Sequence, residues 1–370
     1  MNEKVLFIGL VDTNQIKGDS NHFRKLTSYM SNYCEVFIAS FTNKVSDTHF
    51  KIKFPKNVLY RIVYWNFYLA YLIFLNYKKN NISKVYFRES GLVLSPYLIC
   101  WFLNIKLYIE INGVTADDLP MPKNISTYLF KNFYKLGTGF VASRGYSNLI
   151  YENYNIPSEK IHQTNLGFDF IKDISELSIS KFPIKTIVFI GNVVEYQGLD
   201  LFLDAYYKYV KCTNSKVQFL IVGDGPQLQD LRHKVNDMKL GNYVKFIAPI
   251  MPNELSELLL KCHVGISPFS NKRGKQKTIS ALKTYDYLNA RLPILTSEMD
   301  EMSDFVIKEN IGEVINCFTM DEIYKKLIIC LDDVFLQKVK SEYDNKFEKF
   351  SETFSWERRF SFIKQIILTS

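Results

Sequence analysis

Short apolar runs alternate with amphipathic stretches along the whole chain, and the alternation starts afresh about halfway. In the first half, residues 5–9, 36–39, 85–87, 107–111 and 140–142 read as strands. The segments between them, such as 22–31 and 125–136, carry helical spacing of apolar residues. In the second half, residues 186–191, 218–222, 244–247, 264–267, 293–296 and 312–315 repeat the strand pattern. Strands interleaved with helices predict parallel sheets with helices on both faces. The text turns polar after Phe170, through Asp173, Glu176 and Ser178. A boundary in this stretch predicts domains at 1–170 and 171–350, followed by a closing helix at 351–370. Two doubly wound domains facing a cleft hold ligands beyond the carboxyl ends of their strands.

With 370 residues, the chain is long enough for two cores. Its six cysteines (34, 100, 212, 262, 317 and 330) have no zinc-like spacing and mostly sit in apolar runs. Reduced thiols in a cytoplasmic protein are expected, without a disulfide framework or a bound metal. The N-terminal burst is too short for a secretory segment and reads as a first strand. The most apolar stretches, 65–75 and 91–103, are each shorter than the roughly 20 residues needed to cross a bilayer. No membrane-spanning segment is predicted.

The net charge of +8 is lopsided. Residues 1–170 carry 19 Lys/Arg against 12 Asp/Glu, and residues 171–370 carry 27 against 26. A basic first half suits an anionic partner such as a membrane surface or nucleic acid, or is simply a solvated surface. Within it, Leu129, Phe130, Phe133 and Tyr134 recur at helical spacing beside Lys131 and Lys135. That pattern fits either an interfacial helix or a core helix with two exposed lysines.

Several segments place glycines and charges at strand ends. Phe189-Ile190-Gly191-Asn192 precedes Gln197-Gly198-Leu199. Such a strand–loop–helix junction offers free N–H groups to a diphosphate, although any such junction looks similar. Gly223-Asp224-Gly225-Pro226 reads as a nucleotide-facing loop or a plain tight turn. The basic loop at 271–277, with Lys272, Arg273, Lys275 and Lys277, leads through Thr278 to Lys283 and Asp286. Lys283 and Asp286 stand three residues apart on one helix face, placed for a diphosphate and a ribose or else for a surface ion pair. In the first half, Gly18, Glu110 and Asn112 follow strands and are candidates for the cleft. Glu110 is read either as a reacting acid or as a buried structural one.

In order and spacing these segments resemble the retaining GT-B glycosyltransferases of family four. The resemblance is strongest from Thr186 to Thr296: Gly191…Gly198-Leu199, then Leu220-Ile221-Val222-Gly223-Asp224-Gly225-Pro226, then Leu282-Lys283-Thr284-Tyr285-Asp286-Tyr287-Leu288…Pro293-Ile294. Leu166-Gly167-Phe168-Asp169 and Phe354-Ser355-Trp356 extend it. The resemblance implies an α/β GT-B fold of two Rossmann-like domains. It also implies transfer of a sugar from a nucleotide-sugar, with no metal or other cofactor held. The acceptor would be a polysaccharide or lipid-linked oligosaccharide, at the inner face of a membrane and without nucleic acid. The implied catalytic residues are Asn112, Glu110 and Lys283. The donor-binding set is Gly18, Gly191, Asn192, Gln197, Gly223, Lys275, Lys277, Thr278, Lys283 and Asp286. The sequence departs from the family pattern at Asn192, Gln197 and Thr278, which usually carry arginine, lysine and glutamate, and at Arg291, where glycine is common. A non-catalytic GT-B subunit and a GT-B sugar-nucleotide epimerase are the alternative readings.

Overall fold

The computed structural model describes residues 3–14, 18–42, 46–112, 122–171, 179–270 and 281–369. The chain divides into two compact units, one of residues 1–167 with 354–370 and one of residues 168–353.

The first unit is built on strands β1 (Lys4–Gly9), β2 (Glu35–Ser40), β3 (His49–Lys51), β4 (Lys84–Arg88), β5 (Lys106–Ile111), β6 (Gly139–Ala142) and β7 (Ile161–Gln163). They form one parallel sheet in the order β3-β2-β1-β4-β5-β6-β7. Alternate residues of a strand point to opposite faces, so a strand covered on both sides is apolar throughout. β1 shows this directly. Leu6 and Ile8 enter one core with helices α2 (Val58–Asn80), α3 (Ser95–Phe102), α4 (Lys123–Tyr134) and α5 (Arg144–Tyr154). Val5 and Phe7 enter the opposite core with α1 (Gly18–Met30) and the last helix of the chain, Trp356–Thr369.

The second unit alternates regularly. It runs β8 (Thr186–Ile190), α6 (Leu199–Thr213), β9 (Gln218–Val222), α7 (Leu228–Asp237), β10 (Val244–Ile247), α8 (Pro252–Lys261) and β11 (Val264–Ser267). Then follow α9 (Leu282–Asn289), β12 (Ile294–Ser297), α10 (Ser303–Lys308), β13 (Gly312–Ile315), α11 (Met320–Cys330) and α12 (Asp333–Thr353). The last helix, Trp356–Thr369, is α13 and belongs to the first unit. The six strands are parallel in the order β10-β9-β8-β11-β12-β13. The order reverses beside the first strand of each unit, between β1 and β4 and between β8 and β11.

Two expectations change. Residues 65–75 read as a short buried helix, but α2 runs for 23 residues and is long and apolar enough to cross a membrane. Its tyrosines, asparagine and arginine break the apolar run in the text without breaking the helix. Asn57 caps its start by accepting the Tyr60 N–H at 3.0 Å, and Asn81 ends it in the left-handed region at φ 54°. Only 22% of its most apolar window is buried. Conversely, α4 spends its apolar face on the core, with Phe130 and Tyr134 fully buried. The segment singled out for a membrane is therefore a core helix.

α13 is locked in place by charge as well as apolar packing. Phe360, Ile363, Ile366 and Ile367 pack beneath the sheet with Tyr86 and Tyr108. Arg359 donates to the Glu110 carboxylate at 2.7 Å, and both are buried. His22 of α1 lies 3.4 Å from the same carboxylate, and Arg88 lies 3.1 Å from the other ring nitrogen. Burial alone would raise the Glu110 pKa, but contact with His22 and the guanidiniums of Arg88 and Arg359 holds it at about 2; at pH 7 the two guanidiniums carry the compensating charge. Burial pushes His22 down to about 3, so its ring is neutral at pH 7. Breaking a buried pair leaves a charge uncompensated. Arg359→Met should destabilise the first unit by about 3–5 kcal/mol at pH 7. The double variant Arg359→Met/Glu110→Gln should recover part of that loss, as measured by urea denaturation.

Candidate functional site

The second unit brings its candidate residues together where its strand order reverses. In open parallel sheets such a reversal opens a crevice at the carboxyl ends of the strands. β8 ends at Ile190 and hands over to Gly191, whose φ is +120°. β9 ends beside it at Gly223, with φ +148°. A Cβ on Gly223 would lie 1.9 Å from the Gly191 carbonyl oxygen, so the two loops meet backbone to backbone only because residue 223 carries no side chain. Val193 N–H donates to the Asp224 carbonyl at 2.9 Å, continuing the contact into both loops. Asn192 sits exposed at the mouth.

Helix α9 is seated against the same strand ends by Tyr287. Its ring lies over Gly265 of β11, where a Cβ would come within 2.3 Å of it. Its hydroxyl accepts from Ile190 N–H at 3.1 Å and donates to the Ile266 carbonyl at 2.9 Å. One turn earlier on the same face, Lys283 is thereby held beside Gly191. A Cβ on Gly191 would stand 3.9 Å from the Lys283 ammonium.

The Lys283 side chain is buried, and its ammonium donates to Gln197 Oε1 at 2.7 Å. It also lies 4.1 Å from the Phe189 ring centroid and 5.2 Å from that of Phe269. Burial lowers its pKa to about 7, against the opposing pull of Asp300. Among the described residues it makes no salt bridge. The sequence placed Lys283 and Asp286 on one helix face, but the lysine turns instead to Gln197. Asp286 is partly buried, and desolvation raises its carboxyl to about 7.

Asp300 was not singled out from the sequence. It is fully buried and accepts from Ser267 Oγ at 3.0 Å, Thr296 Oγ1 at 3.1 Å and Met302 N–H at 3.0 Å. Burial still lifts its carboxyl to about 7. The available signal was Ser267 and Thr296, two hydroxyls closing otherwise apolar strands. Lys275, Lys277 and Thr278 lie outside the described residues.

In the first unit, Gly18 is the first residue of α1. Glu110 is the buried partner of Arg359 described above, which favours the structural reading of that acid. Asn112 follows β5, and its buried Nδ2 has no hydrogen-bond partner among the described residues. Among the described residues, no cluster of three or more His, Cys, Asp or Glu is arranged to hold a metal.

A buried ammonium beside a glycine turn at a strand reversal suits a diphosphate. Residues 184–333 match the model of the family described as Glycosyl transferases group 1. No curated protein sequence matches significantly. Among solved structures, a glycosyltransferase from Rickettsia africae is similar at 14% identity and a TM-score of 0.72, over 100% of both chains. Anabaena HepE, solved with UDP-glucose, is similar at 13% identity and a TM-score of 0.73, over 99% of this chain and 100% of its own. WaaG, a glycosyltransferase involved in lipopolysaccharide biosynthesis, is similar at 12% identity and a TM-score of 0.68, over 99% and 100%. The chain thus shares its fold end to end with these glycosyltransferases, and residues 184–333 of its second unit match the group 1 glycosyltransferase family.

Proposed function

We propose that the protein transfers a sugar from a nucleotide-sugar to a polysaccharide or lipid-linked oligosaccharide, retaining the anomeric configuration. The bond between the sugar and the diphosphate breaks, and an acceptor hydroxyl oxygen takes its place on the same face of the sugar. The leaving diphosphate gains negative charge, which preorganised cations and N–H groups stabilise. The observation that carries this reading is Lys283, a buried ammonium beside Gly191 with a neutral amide as its hydrogen-bond partner. In this proposal it binds the donor diphosphate, and Asp286 receives the ribose hydroxyls. Lys275 and Lys277 add charge where the sequence lacks the usual arginine and lysine. A uridine diphosphate sugar is the first donor class to test, because HepE, of the same fold, was solved with one. Asn112 and Gly18 belong to the acceptor side. The basic first half suits attachment to an anionic membrane carrying the acceptor, on its cytoplasmic face.

Three outcomes check this reading. Lys283→Met should weaken binding of UDP or another nucleoside diphosphate by about 2–5 kcal/mol in calorimetry, as truncating one partner of a buried charge contact does. Unchanged affinity in a folded variant would remove Lys283 from the site. The second outcome concerns pH. The ammonium form prevails below about 7 and is lost as pH rises through that value. Donor affinity should therefore fall above pH 7, and binding at pH 8 should take up a proton. That uptake is read from the dependence of binding enthalpy on buffer ionisation enthalpy, and Lys283→Met should abolish it. Third, proton NMR of the first-formed product should show the anomeric configuration of the donor; an inverted product would overturn the retaining assignment.

A further inference from the structure

The outward face of α2 is apolar from end to end. Leu59, Val63, Phe67, Tyr71 and Phe74 follow one another at steps of four, four, four and three residues, and each is exposed. That spacing draws one stripe along the helix. Helix α3 packs alongside and adds Leu98, Trp101 and Phe102, which are 49%, 64% and 76% exposed. Contiguous exposed apolar surface on this scale marks a contact surface rather than a scatter of single residues.

The charges around the stripe identify the occupant. From Thr48 to Arg88 the chain carries eight Lys/Arg and no Asp/Glu. Lys51, Lys53 and Lys56 are exposed ahead of α2, and Lys78 and Lys79 are exposed in its last turn. An aromatic stripe flanked by lysines, with no acid among them, is complementary to acyl chains beneath anionic headgroups. A symmetric pairing of two copies would bring these same lysines together with no carboxylate from this segment to meet them.

We infer that the α2–α3 face seats on an anionic lipid bilayer, with α2 lying in the interface. This deepens the membrane attachment proposed above and rests on it, but moves the contact away from α4. α2 lies on the bilayer and does not cross it, because its other face is committed. Trp65, Leu69, Leu72 and Ile73 are buried in the core of the first unit. The Asn66 side chain also ties the helix to the start of α3, donating to the Leu92 carbonyl at 2.9 Å and accepting from Leu94 N–H at 2.8 Å and Ser95 N–H at 2.9 Å.

The test is co-sedimentation of the full chain with phosphatidylcholine vesicles, with and without phosphatidylglycerol. Three proteins are compared: wild type, Phe67→Ser/Trp101→Ser, and Lys131→Glu/Lys135→Glu on α4. Binding of UDP serves as the fold control, since none of these residues belongs to the nucleotide site. The expected result is binding of wild type to phosphatidylglycerol vesicles, at least tenfold weaker binding of the α2–α3 variant, and unchanged binding of the α4 variant. Bromine-labelled acyl chains should quench tryptophan emission in wild type, and Trp101→Phe should lose that quenching. Equal binding by wild type and the α2–α3 variant would overturn this surface while leaving membrane attachment standing. No binding by wild type would overturn both. Dimerisation in solution that the α2–α3 variant abolishes, with no vesicle binding, would assign the face to a second copy.

Discussion

The buried contact between Arg359 and Glu110 is the constraint around which the first unit is organised. Its parallel sheet has two apolar faces, and helices drawn from residues 58–154 cover only one of them. The other is shared by α1 and by a helix that arrives from the far end of the chain. A guanidinium and a carboxylate buried together cost much of what their attraction returns. The apolar residues of α13 supply stabilisation, while the pair fixes the position of the helix. His22 and Arg88 complete the cluster, so the ends of β4 and β5, α1 and α13 are tied at one point. The polypeptide must therefore leave the first unit, build the second and return.

The second unit solves a different problem, holding a cation out of water without neutralising it. Lys283 has an amide oxygen, two aromatic faces and a nearby acid whose own burial keeps it close to neutral. Each group eases the burial of the ammonium, and none is an ion-paired carboxylate. An entering anion would meet a charge that the fold has already desolvated. The missing side chain at Gly223 lets its loop lie directly against the Gly191 backbone. Gln197 changes meaning in this setting. Read along the sequence it is a lost cation; in the structure it is the acceptor for the cation that remains.

The proposed membrane attachment and the proposed donor binding draw on separate parts of the chain. The cluster around Lys283 is built from residues of the second unit, whereas the apolar stripe of α2 and its lysines belong to the first. This division lets a protein hold a soluble donor with one core and face an insoluble acceptor with another.

The fold class was legible in the residues alone, as were the segments that meet where the second sheet reverses its order. Strand and helix periods, the restart near residue 186 and the glycines closing β8 and β9 are local patterns, written in residues close together along the chain. Lys283 and Asp286 were legible as neighbours on one helix for the same reason. Their partners were not, because Lys283 meets Gln197 across 86 residues and Ser267 meets Asp300 across 33. Glu110 is the clearest case. A carboxylate at a strand end reads equally well as a reacting acid or a structural one, and only the return of α13 placed Arg359 against it, 249 residues later. Helices α2 and α4 show the same limit. Both carry amphipathic text, but which face meets the core and which meets the outside depends on what packs against each helix. Periodicity fixes that a helix has two faces, and the tertiary packing decides which one is spent.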